Sequence, residues 1–194
     1  MTVVRVNPQS VHAYGADAQA KFDAIRTELV QLVNAVTEVR YFGPNAVDFK
    51  TRSGQIAADF ANRLNQDLGA IADAVRVSTS NIAASLGGAP VSISVNGSTI
   101  SPPGVAAVDY VDVDTSALDA LRTVVDRHFA SIAALFDGHL QKLVSTDWTG
   151  NAREQAVSAV RTFTSAAKSK SAEAQTSLNT YISNQVQSVI TADK

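Results

Sequence analysis

Six apolar residues, Phe22, Ile25, Leu29, Leu32, Val36 and Val39, recur at spacings of 3, 4, 3, 4 and 3. That period places one stripe on one face of a long helix and requires other long helices, packed nearly parallel, to cover it. Three more stretches carry such stripes. Phe49, Ile56, Phe60, Leu64, Leu68, Ile71, Val75 and Ile82 mark the second, and Leu118, Leu121, Val125, Phe129, Ile132, Phe136, Leu140 and Leu143 the third. The fourth, Val160, Phe163, Ala167, Ala174, Leu178 and Tyr181, is rich in small neighbours that permit short interaxial distances. Gly43-Pro44 stops the first stretch, because proline lacks an N–H and disfavours helix in the residue before it. Gly87-Gly88 stops the second. Asn7 before Pro8 is a good cap and first helical residue, and Ser116 with Asp119 opens the third helix. The pattern predicts helices over 8–40, 45–86, 116–146 and 151–190, each roughly 45–60 Å long at about 1.5 Å per residue. The expected fold is all-α, an elongated four-helix bundle.

The chain is also doubled. Phe42-Gly43-Pro44-Asn45-Ala46 aligns without a gap on Trp148-Thr149-Gly150-Asn151-Ala152, 106 residues later. Each copy has an aromatic, a helix breaker, and an Asn followed three residues on by an acid (Asp48, Glu154), the pattern of a helix start. This predicts two helical hairpins, 1–86 and 116–194, joined by a linker over 87–115. Within the linker, Val91–Val95 alternates, Asn96-Gly97 is the preferred two-residue turn, and Ser98–Ile100 returns. A small β-hairpin is therefore expected, with Val95, Asn96 and Gly97 at its tip. No charged residue lies between Arg76 and Asp109 in a chain that is 18% charged, so 87–108 is expected to contact a protein or a membrane surface. If 91–101 folds back, about 17 linker residues remain, reaching roughly 56–61 Å. That barely spans such a bundle, so the expected order is up-down-up-down, with both turns at one end and the linker hairpin at the other.

Little in the sequence resembles catalysis. The net charge of −2 and scattered Lys and Arg exclude a nucleic-acid field. Without cysteines there are no disulfides or thiolate metal sites. Met1–Ser10 has no apolar core of a secretory signal, and no stretch has the length and apolarity of a membrane span. His128 and His139 would lie about 16 Å apart on one helix, too far to share a metal, and read with His12 as residues at the edge of the core. Asp109, Asp112 and Asp114 lack the glycine and distal Glu of a calcium loop and read as a solvated strand entering the cap of the third helix. No metal-protease motif, phosphate loop or nucleophile elbow is present. No catalytic residue, cofactor or metal is expected. Trp148, the only tryptophan, either plugs a bundle end or serves as a recognition anchor at an exposed tip.

Trp148-Thr149-Gly150, a W-x-G in the turn of a helical hairpin, resembles the WxG helical-hairpin (ESAT-like) family exported by type VII (ESX) secretion. Phe42 stands for the Trp in the first half, where Gly43 follows at once and Pro44 takes the family glycine's place. The resemblance implies hairpins that pair antiparallel into four-helix bundles, export without a cleaved signal, and function through protein–protein interaction. It implies a non-enzymatic tandem protein, a fused version of the family dimer, acting as substrate, partner or adaptor of a type VII pathway, secreted or at the cell surface. Its partner would be a protein, the secretion machinery included, and not nucleic acid. Interaction residues would be Trp148, Gly150, Asn151, Phe42, Gly43 and Asn45, with Val95, Asn96 and Gly97 of the linker. The family's export signal, Y-x-x-x-D/E, is met by Tyr110 to Asp114, while Tyr181 is followed by Gln185. Two other readings stand beside it: a membrane-active bundle with 91–108 as a β-tongue, and a structural adaptor in a larger particle. The expected core comprises Phe22, Leu29, Ile56, Phe60, Phe129, Ile132, Phe136 and Phe163. Trp148 and Gly150 are expected to matter for recognition more than for folding.

Overall fold

The computed structural model describes residues 4–192. Asn7 opens the first helix as its position implies: its Oδ1 accepts the N–H of Gln9 at 3.0 Å and of Ser10 at 3.3 Å, two donors the helix itself cannot satisfy. The elements in chain order are α1 (Pro8–Glu38), β1 (Tyr41–Phe42), α2 (Pro44–Ser85), β2 (Asp112–Val113), α3 (Thr115–Val144) and α4 (Asn151–Ala192). The fold is all-α, with four helices packed against each other.

The other three helix starts correct the expectation. Asp114, not Ser116, caps α3, accepting the N–H of Ser116 at 2.9 Å and of Ala117 at 3.1 Å. Asn45 and Asn151 cap nothing; both lie inside their helices. The residue before each helix is a glycine with positive φ, Gly43 at 120° and Gly150 at 113°. The Gly43 carbonyl accepts Ala46 and Val47, and the Gly150 carbonyl accepts Arg153 and Glu154. Only glycine occupies that backbone region without a steric cost.

Those glycines reset the internal repeat from 106 residues to 107. With Gly43 on Gly150, Pro44 falls on Asn151 and Pro8 on Thr115, and α2 and α4 are both 42 residues long. The caps Asn7 and Asp114 fall on one another as well. The aromatic that matches Trp148 is therefore Tyr41, not Phe42.

The chain divides into two compact units. The first takes the chain up to Arg26, Leu64–Ser98 and Ala133–Lys168, and holds the α3–α4 turn. Its core includes Val11, Tyr14, Phe22, Phe136 and His139. Phe136 meets Phe163 edge-on at 5.5 Å, and Phe22 meets the His139 ring at 4.8 Å. The second takes Thr27–Arg63, Thr99–Ile132 and the chain from Ser169, and holds the α1–α2 turn. Its core includes Leu29, Phe49, Phe60, Phe129 and Ile132, with Phe60 and Phe129 ring centroids 5.1 Å apart. Of the expected core, Ile56 and Phe163 are only half-buried. The two turns do not share a unit.

The linker departs from the hairpin expected of it. A small antiparallel sheet is present, but it pairs Tyr41 with Val113 and Phe42 with Asp112. Residues 91–100 do not fold back on themselves. They carry no regular secondary structure, with Val91, Ile93 and Ile100 buried and Ser92 and Ser94 exposed. In the first unit Gln19 reads Ser94 at two points: its Oε1 accepts the Ser94 N–H at 2.8 Å and its Nε2 donates to the Ser94 carbonyl at 3.0 Å. Ser80 Oγ donates to the Val91 carbonyl at 3.1 Å. A Cβ on Gly15 would come within 2.3 Å of Val91 Cγ1, so the linker seats there only on glycine. In the second unit Asn62 repeats the clasp on Ile100, with Oδ1 accepting at 2.8 Å and Nδ2 donating at 2.9 Å. Helix side-chain amides thus take the place of a partner strand. The uncharged interval contacts the chain's own helices.

Asn62→Ala leaves the N–H and C=O of Ile100 without their partner, and is expected to lower stability by about 1–2 kcal/mol. Urea denaturation measures this, with faster amide exchange at Ile100. An unchanged midpoint contradicts the clasp.

Candidate interaction surfaces

Each unit carries one corner built from the same parts. In the first, Val6 bridges Trp148 antiparallel. Asn7 N–H donates to the Asp147 carbonyl at 2.9 Å and Thr149 N–H to the Arg5 carbonyl at 2.7 Å, while Arg5 N–H donates to Thr149 Oγ1 at 3.0 Å. In the second, Val113 and Asp112 hold Tyr41 and Phe42, and Arg40 pairs with Asp112 at 3.1 Å. At the 107-residue offset the two pairings are one pairing with the halves exchanged. The segment before α1 holds the second half's turn, and the segment before α3 holds the first half's. That reciprocity is what an isologous contact between two copies produces.

The first corner is closed. Trp148 is 1% exposed, so of its two readings the buried plug holds and the exposed anchor does not, and its Nε1 has no hydrogen-bond partner. A Cβ on Gly150 would lie 3.2 Å from Val4 Cγ2, and Asn151 is exposed at the first position of α4. Gly150→Ala forces an L side chain into positive φ and is expected to cost about 1–3 kcal/mol, read as a lower urea midpoint.

The second corner is more open. Tyr41 is buried and its phenol accepts Gln185 Nε2 at 2.8 Å. Burial raises its pKa, and the Gln185 hydrogen bond opposes the rise. Phe42 is half-buried, 5.9 Å from the Tyr110 ring, with Lys50 Nζ 4.8 Å above its own. Burial lowers the Lys50 pKa, and the ring face supplies a favourable field for the ammonium. Tyr181 stacks on Phe49 at 5.5 Å, its pKa raised by burial and by Asp48. Asn45 is exposed and lines a cavity of about 620 Å³ with Tyr41, Val111, Val113, Gln185 and Ile190. Among the described residues, no charged side chain lines it. Tyr110 is 56% exposed and Val111 73%.

The structure thus brings Phe42, Gly43, Asn45, Tyr110, Asp114 and Tyr181 into one unit, and Trp148, Gly150 and Asn151 into the other, with Val95, Asn96 and Gly97. Asp114 Oδ1 is taken up by the α3 cap. It accepts the Ser116 hydroxyl as well as the two N–H groups, and the Ser116 hydroxyl and Ala117 N–H hold its pKa below the usual value. Val95 is half-buried, and Asn96 and Gly97 sit in a segment without regular secondary structure rather than at a hairpin tip. His128 and His139 are not edge residues, whereas His12 is half-buried. His139 is fully buried against Tyr14 at 2.8 Å, and His128 is buried against Glu28 at 2.6 Å. Asp109 to Asp114 does lead through β2 into the α3 cap, as the sequence implied. Tyr41, Gln185 and the amides of Gln19 and Asn62 were not singled out from sequence. For the two amides, the missing charge over 77–108 in the segment they hold was the only signal.

Among the described residues, no helix is long and apolar enough to cross a membrane, and no three His, Cys, Asp or Glu side chains gather to hold a metal. Comparison with family models, curated proteins and solved structures finds no match.

Proposed function

We propose that the chain is a non-enzymatic tandem WxG-like protein, working through protein–protein interaction as a substrate, partner or adaptor of type VII secretion. The observation that carries the reading is the exchanged pairing of the two corners, Val6 with Trp148 and Val113 with Tyr41, at an offset of 107 residues. Fusion makes the pairing of two hairpins intramolecular and independent of concentration. The partner surface is the open corner, where Tyr110 and Val111 are exposed beside a cavity lined, among the described residues, by uncharged side chains. Large apolar side chains around a pocket are the usual anchors of protein recognition. The burial of Val91, Ile93 and Ile100 against the helices supports this reading over a membrane-inserting tongue.

Export is tested by expressing the tagged chain in a bacterium with a type VII system and in its secretion-ATPase mutant. The expected result is ATPase-dependent appearance outside the cell. Absence from the medium in both strains, together with leakage of liposomes by the purified chain, overturns the reading. Partner binding is tested with Tyr110→Ser combined with Val111→Ser. Both residues are exposed, so the melting temperature is expected to hold, with a change within about 0.5 kcal/mol. Partner affinity is expected to fall about tenfold or more.

A further inference from the structure

Asn96-Gly97 forms no hairpin turn, and its surroundings give it a different chemistry. Asn96 is the one asparagine followed by glycine among ten in the chain. Both residues are exposed, and a Cβ on Gly97 would meet nothing within 4 Å. The Asn96 main-chain carbonyl accepts Arg26 Nη1 at 2.9 Å and Asn65 Nδ2 at 2.8 Å. Two donors on that oxygen, one cationic, draw electron density from the peptide group and stabilise the anion formed when the Gly97 N–H loses its proton. The Asn96 side-chain Oδ1 accepts the Ser98 N–H at 2.9 Å. That donor polarises Cγ toward attack and is in place for the negative charge that then develops on Oδ1.

We infer that Asn96-Gly97 is a site of spontaneous covalent modification, where the Gly97 amide nitrogen closes on the Asn96 side-chain carbonyl carbon. The Gly97 N–H proton passes to solvent hydroxide, the N–Cγ bond forms, and the Cγ–NH₂ bond breaks as the NH₂ group takes a proton from water and leaves as ammonia. Water then opens either imide C–N bond of the five-membered ring, giving aspartate or isoaspartate. Either product places a carboxylate in an interval that has no charge between Arg76 and Asp109. Isoaspartate also lengthens the main chain by one carbon. Arg26 holds Asn96 O, Ser98 O and Ser98 Oγ at 2.7–2.9 Å, and cannot keep all three across a longer chain. The modification therefore loosens this part of the linker from α1.

The test is peptide mapping by mass spectrometry of the full chain, aged in mildly alkaline buffer. Asn96 is expected to be the first asparagine to gain one dalton, with isoaspartate present, and Ser98 amide exchange is expected to quicken in the aged protein. Gly97→Ala is expected to suppress the gain while leaving the melting temperature unchanged. Arg26→Ala and Asn65→Ala are each expected to slow it about tenfold, equivalent to about 1.4 kcal/mol in the barrier. Modification of another asparagine before Asn96 overturns the inference. An equal or faster rate at Asn96 in both variants overturns it as well, because the donors would then restrain the segment rather than activate it.

Discussion

Trp148→Ala is expected to lower the stability of the folded chain by about 3–5 kcal/mol, the usual cost of emptying a buried aromatic site. For a chain of this size that corresponds to a fall in melting temperature of about 6–20 °C. The side chain is 1% exposed and its Nε1 has no hydrogen-bond partner, so the loss is packing alone and no polar group is orphaned. The main-chain bridge to Val6 and the Thr149 bonds to Arg5 do not depend on the indole. Trp148→Phe keeps most of the apolar volume and is expected to cost clearly less. Tyr41→Ala, at the matching place in the other unit, also removes the acceptor of Gln185. A fall of less than about 2 °C for Trp148→Ala contradicts the closed corner and restores Trp148 as a surface anchor. Thermal melting followed by circular dichroism decides it.

The four helices were legible because their signal is redundant. Eight apolar residues in the second stripe and eight in the third agree on one period, and no single exception shifts it. Asn7 was legible as a cap because its side chain and Pro8 both point to the same start. The turns were less so. Asn45 and Asn151 carry good capping chemistry, but the register is set by the positive φ of Gly43 and Gly150, and φ is not written in residue type. That one-residue difference hid Tyr41 behind Phe42. The linker failed for another reason. Asn-Gly is a strong local turn former, but the alternation around it buries Val91, Ile93 and Ile100 against helices, and packing overrides local preference. The clasps that make this possible are two ordinary amides, Gln19 and Asn62, dozens of residues away in sequence. Nothing local distinguishes them from solvated surface residues.

The chain is expected to lose about 2–3 kcal/mol of stability between pH 7 and pH 4.5 through a single histidine. His139 is fully buried in the first unit. Its Nε2 lies 2.8 Å from the Tyr14 hydroxyl, and its Nδ1 has no partner. Burial pushes its pKa from 6.5 down to about 4, with nearby Lys21 adding to the fall and Asp17 opposing it. The folded chain therefore holds His139 neutral across a range where the unfolded chain protonates it. Stability from this group is complete above about pH 6.5 and falls as pH drops toward about 4, where the folded state begins to take up the proton too. At about 1.36 kcal/mol per pKa unit, the full window is worth roughly 3 kcal/mol. Burial of Tyr14 raises its pKa, so the phenol stays protonated throughout. Urea midpoints at the two pH values measure the change, and His139→Gln isolates it from the carboxylates that titrate in the same range. The variant is expected to be less stable than the parent at pH 7 and to lose distinctly less on acidification. Parallel losses in parent and variant mean that His139 is already charged in the folded chain, or exposed, and the buried Tyr14–His139 pair is then not the acid-sensitive element of this core.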